Sequence, residues 1–169
     1  MTGVMSMQRF TDWLYASSLS QAIQNTEWMI PAIQSIHIIA LSALLASAMM
    51  VHLGAVGVIG RGEATIGGLC RRYMPWIWAA LAVLAMTGGL LIVSEPERAL
   101  GNSVFWIKMA LLVVAVAFTV ILARRGGSPA GAEEAVGDSP AGFKFAAALG
   151  LCLWVGVIVC GRWIAYALS

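Results

Sequence analysis

The sequence predicts an all-α fold: an integral membrane four-helix bundle with an N-terminal amphipathic interfacial helix. Composition and pattern carry this. Of 169 residues, 60% are hydrophobic and only 11% charged, against roughly 25% charged in soluble domains, and the mean hydropathy is +0.87. The apolar residues also fall into four separate runs, each long enough to cross a ~30 Å hydrocarbon core at ~1.5 Å per residue. The length suits one domain, residues 1–169. A net charge of +2 comes with no basic patch interleaved with aromatics, so the bilayer and not nucleic acid is the expected partner.

In chain order, residues 6–24 mix Phe10, Trp13, Leu14, Leu19 and Ile23 with Arg9, Asp12, Ser and Gln. They are too polar to span and read as a surface-lying amphipathic segment. No basic leader precedes a short apolar core, so no cleavable signal peptide is read. Residues 30–59 contain no charge and form the first span; at about 45 Å they must tilt or protrude. Residues 74–95 form the second, with Pro75 expected in its first turn. Residues 103–123 form the third and 142–168 the fourth. Between these two, residues 124–141 are rich in Gly, Ala, Pro and acid and read as a flexible aqueous loop. Four spans put both termini on one side. Arg61, Arg71, Arg72, Arg124, Arg125 and Lys144 fall at one end of the bundle, and Arg9, Arg98, Arg162 and Lys108 at the other. The larger set marks the cytoplasmic side, giving an N-out, C-out orientation.

His37 and His52 are the only histidines in the chain, and both lie in the first span. Fifteen residues at about 100° each bring them within ~60° of one face, ~22 Å apart along the axis. One imidazole in each leaflet is the arrangement by which membrane b-type cytochromes stack two haems, and imidazole is a standard axial ligand of haem iron. His37 and His52 are therefore the candidate haem b ligands. No other span contains a histidine, so the second axial positions call for a second protomer, an open iron or a soft ligand. Met109, near the level of His37, and Cys152, in the leaflet of His52, are the candidates. Lys108, inside the third span, and Arg162, near the end of the fourth, are placed to pair with haem propionates. The plain alternative for Lys108 is snorkelling to the interface. Trp28, Trp76, Trp78, Trp106 and Trp163 sit near span ends as an aromatic belt. Trp154 lies deeper, against a cofactor or another helix. Gly54, Gly57 and Gly60 suggest close helix packing. Cys152 and Cys160 are about 12 Å apart on one helix, beyond disulfide reach.

The stretches "IPAIQSIHIIALSALLASAMMVHLGAVGV", "PWIWAALAVLAMTGGLLI" and "NSVFWIKMALL" resemble an uncharacterised family of small bacterial four-helix membrane proteins. The resemblance lies in Gln34 and His37, in Thr87 and Gly88, and in Asn102, Phe105 and Lys108, over roughly residues 28–123. Where that family carries an acidic residue followed two positions later by a basic one, this chain has His52 and Gly54. More remotely the pattern is similar to copper-resistance membrane proteins of the CopD type and to the haem-associated protoporphyrinogen oxidase HemJ. The resemblance implies the bacterial inner membrane.

The leading expectation is a haem-binding, b-type cytochrome-like electron-transfer protein with up to two haems per protomer. It would form a homo-oligomer and exchange electrons with quinone or a redox partner protein. One alternative is a copper-handling protein, since imidazole and thioether suit copper(I) and Met49 and Met50 lie beside His52. Another is a scaffold or permease subunit with structural histidines. No Ser-His-Asp set, carboxylate pair or Gly-rich phosphate loop is present, so the sequence leaves enzymatic activity undecided.

Overall fold

The computed structural model describes residues 2–59, 65–126, 128 and 140–163. Expectations resting on Arg61, on Gly60, on residues 127 and 129–139 of the linker and on residues 164–168 fall outside the described residues. Among the described residues there are seven helices: α1 (Thr2–Tyr15), α2 (Ser18–Gln24), α3 (Met29–Val56), α4 (Ile66–Ser94), α5 (Pro96–Leu100), α6 (Ser103–Gly126) and α7 (Ala141–Trp163). Four of them, α3, α4, α6 and α7, are long and apolar enough to cross a membrane.

The amphipathic segment is a helix pair. Ser17 ends the first helix and caps the second, its hydroxyl accepting from Ser20 N–H at 3.2 Å. Ser20 and Ile23 are buried, and Gln24 Nε2 donates to the Ser94 carbonyl at 3.0 Å. The pair is thereby tied to the end of α4. Phe10 and Trp13 stack with ring centroids 6.2 Å apart on the exposed side.

The first span stops at Val56, three residues short of the expected boundary. Gly57 takes the left-handed conformation at φ 85°, and Val58 N–H reaches back to the Leu53 carbonyl at 2.9 Å. This is the helix-ending turn that glycine permits without Cβ strain.

The second span begins eight residues earlier than expected, at Ile66. Thr65 caps it by accepting from Gly68 N–H at 3.1 Å. Arg71 and Arg72 therefore stand on the helix, not in a loop, and Pro75 lies in its interior, not its first turn. There it withholds the N–H that the Arg71 carbonyl accepts in a regular helix.

A short helix, α5, which the sequence reading did not separate, follows at once. Asn102 then starts α6 by accepting from Val104 N–H at 2.9 Å, as helix-capping Asn does. The third span continues through Arg124 and Arg125 to Gly126, three residues into the expected loop.

α3 and α4 form one antiparallel hairpin, α6 and α7 another, and the contact of α3 with α7 joins them. Every span sets small residues into the core beside larger ones such as Leu44, Ile77, Leu122 and Trp154: Ala48 and Ala55 from α3, Ala80 from α4, Ala115 from α6 and Ala147 from α7. That suits a membrane, where lipid tails are as apolar as leucine and close backbone packing replaces the hydrophobic drive. Gly54 illustrates it, since a methyl there would run into Leu69 Cδ1 of α4. Large apolar residues such as Ile39, Met86, Val113 and Phe145 point outward, as a lipid-facing surface requires. Trp28, Trp106 and Trp163, all exposed, mark one end of the bundle. Arg125 marks the other, its guanidinium 4.7 Å over the Phe143 ring.

Candidate functional site

The two histidines of α3 have opposite surroundings. His37 lies two turns in from the Trp28 end and is half-buried. Its Nδ1 is 2.7 Å from Thr87 Oγ1 on α4. Thr87 is buried and its hydroxyl donates to the Val83 carbonyl one turn back, at 2.7 Å. Gly88 lies alongside, where a methyl would come 3.5 Å from His37 Cε1. The ring therefore rests along the backbone of α4.

Lys108 comes from α6 to the same region. Its side chain runs across Gly161 of α7, with Cε and Nζ 3.6 and 3.7 Å from where a methyl would stand. The described carboxylates, Asp12, Glu27, Glu95 and Glu97, all lie outside the four spans. Among the described residues no salt bridge to the Lys108 ammonium forms; the one ion pair joins Arg98 and Glu95 at 3.0 Å. α3 and α4 thus meet at His37, Thr87 and Gly88, and α6 and α7 meet at Lys108 and Gly161.

His52, near the Arg125 end, is fully buried. Its Nδ1 donates to the Ala48 carbonyl at 2.8 Å. That carbonyl can only accept, so the proton is on Nδ1 and Nε2 is a bare lone pair. Among the described residues Nε2 has no hydrogen-bond partner. It presses against Gly150 of α7, where a methyl would overlap Nε2 and lie 2.7 Å from Cδ2. A ring in this position is filling space between α3 and α7.

The other expected site residues divide. Arg162 is exposed on the last turn of α7 at the Trp28 end, next in sequence to Gly161. Met109 is exposed on α6, and Cys152 is exposed too, so Gly150 and not Cys152 faces His52. Trp154 is fully buried and donates to Thr119 Oγ1 of α6 at 3.2 Å, which makes it a link between helices. The sequence reading passed over Gly150 and Gly161, and considered Cys160 only as a disulfide partner of Cys152. A glycine or cysteine inside an apolar run gives no sign of what faces it.

Fold and site together define the class: a multi-pass membrane protein, a four-helix bundle in which His37 of α3 is set against Thr87 and Gly88 of α4. The chain belongs to the Family of unknown function (DUF6644), whose family model matches residues 10–167. No curated protein and no solved structure matches it. The residues that carry the resemblance acquire separate explanations in this chain. His37, Thr87 and Gly88 come together, while Lys108 lies against Gly161. Asn102 caps a helix, Phe105 packs edge-on to Trp106 at 5.5 Å, and Gln34 is exposed one turn before His37.

Proposed function

We propose that the protein is a haem-binding membrane protein of the b-type cytochrome kind, holding its haem through His37. The observation that supports this reading most is the state of the His37 ring. Nδ1 is engaged by Thr87, while Nε2 makes no hydrogen bond among the described residues and is not one of the enclosed polar atoms. An imidazole anchored at one nitrogen and open at the other is how proteins prepare a metal-ligating histidine. Among the described residues no three His, Cys, Asp or Glu side chains come together. A mononuclear copper centre draws most of its ligands from the protein, whereas a porphyrin brings four of its own, so an isolated imidazole favours haem.

Bound there, a haem supplies one-electron transfer. The chain does the rest. His37 would hold the group through Nε2, Thr87 would fix the ring, and Lys108 would offer a cation to the carboxylates of the group. Gly88 leaves bare backbone beside His37, and Gly161 beside Lys108. His52 takes no part, because its Nε2 already rests on the backbone of Gly150; the two-site expectation reduces to a single site. The basic residues at the Arg125 end support a reading in which that end faces the cytoplasm and the membrane is a bacterial inner membrane. His37 then lies in the outer half, and its electron partner is a quinone or a redox protein reached from that side.

The test is an oxidised-minus-reduced spectrum of detergent-purified protein from a haem-sufficient host, with a pyridine haemochrome count. The reading expects a Soret band and about one haem b per chain. Absence of any Soret band overturns it.

A further inference from the structure

A count of protons at the His37–Thr87 contact leads beyond the identity of the ligand. The Thr87 hydroxyl has one proton and two lone pairs. Its oxygen is 2.7 Å from the Val83 carbonyl and 3.4 Å from that of Leu84, and carbonyls only accept. The same oxygen is 2.7 Å from His37 Nδ1. If Nδ1 were bare, the single hydroxyl proton would have to serve both it and Val83. One of the two 2.7 Å contacts would then set lone pair against lone pair. The only arrangement in which both are hydrogen bonds has the hydroxyl donating to Val83 and accepting from a protonated Nδ1. Nothing else at the ring competes for that proton: Gly88 has no side chain, and the Lys108 ammonium is a donor only.

We infer that Thr87 is a positioning residue that fixes His37 as the Nδ1–H tautomer and turns the Nε2 lone pair to the ligand. The site is therefore built for a group that accepts an electron pair, such as a metal centre. It is not built for one that needs an N–H donor from the ring. That the metal centre is haem iron rests on the function proposed above; the tautomer does not.

The experiment uses the full chain in nanodiscs, labelled with 15N-histidine and prepared without haem loading. With only two histidines, His52→Gln assigns the spectrum, and long-range proton–nitrogen correlations identify which ring nitrogen carries hydrogen. Wild type is expected to show His37 protonated at Nδ1 and bare at Nε2. Thr87→Ser should keep that pattern, and Thr87→Val should lose it to a mixture or to Nε2–H. In haem-loaded protein, Thr87→Val should weaken haem retention about 10- to 100-fold, as loss of a partner behind a metal-bound histidine does, with Thr87→Ser restoring it. A wild-type ring carrying its proton on Nε2, or a Thr87→Val ring still wholly Nδ1–H, overturns the inference. The wild-type spectrum decides even if Thr87→Val does not fold. An Nδ1–H ring that Thr87→Val disturbs, in a protein that takes up no haem, leaves the positioning role standing and removes the haem reading.

Discussion

Gly150→Ala is the most informative single change to the bundle. A methyl at this position overlaps His52 Nε2 and lies 2.7 Å from Cδ2, with Phe118 Cβ 3.6 Å away on another side. The imidazole has nowhere to retreat: it is fully buried, and its Nδ1 is held to the Ala48 carbonyl at 2.8 Å. Either that hydrogen bond breaks, at about 1 kcal/mol, or α3 and α7 separate, an overpacking cost of about 1–3 kcal/mol. Alanine returns about 1 kcal/mol of helix propensity. The variant should lose roughly 0–2 kcal/mol net, read as the free energy of unfolding in mixed detergent–SDS micelles by tryptophan fluorescence. Truncating the ring removes the clash, so His52→Ala with Gly150→Ala should be more stable than the sum of the single changes, with a coupling of about 1–3 kcal/mol. Strict additivity of the two changes would refute the close contact and free His52 for a role in binding.

Other expectations test the remaining joints. Gly57→Ala forces a side chain into the left-handed turn that ends α3 and should cost about 1 kcal/mol in the same assay. Asn102→Ala removes the cap on Val104 N–H and should also cost about 1 kcal/mol. Thr119→Val leaves the buried Trp154 indole N–H without its acceptor, a loss of about 1–3 kcal/mol; equal stability would show that the bond is not formed. Glu95→Gln breaks an exposed ion pair with Arg98 and should change stability by less than about 0.5 kcal/mol.

Hydropathy is additive along the chain, so the four spans and the lone histidines could be read without any packing. Boundaries could not. Gly67, Gly68, Arg71 and Arg72 look like a loop, yet Thr65 caps them into α4 and Ile66 and Cys70 are buried. α5 has five residues, too few for a periodicity to show. The site was half legible. Helical spacing put His37 and His52 on one face, but equal spacing says nothing about unequal neighbours. His37 meets the Thr87 hydroxyl, while His52 meets bare backbone on a helix almost a hundred residues further along the chain. Which imidazole has an open nitrogen is decided by α4 and α7, and no pattern within α3 encodes that.

The measurement that bears most directly on the central claim is the haem content of His37→Ala beside His52→Ala, both purified from a haem-sufficient host and compared with wild type. The account predicts a wild-type Soret band that His37→Ala abolishes and His52→Ala retains in full. Haem lost with His52→Ala and kept with His37→Ala, or an equal loss in both, would contradict it.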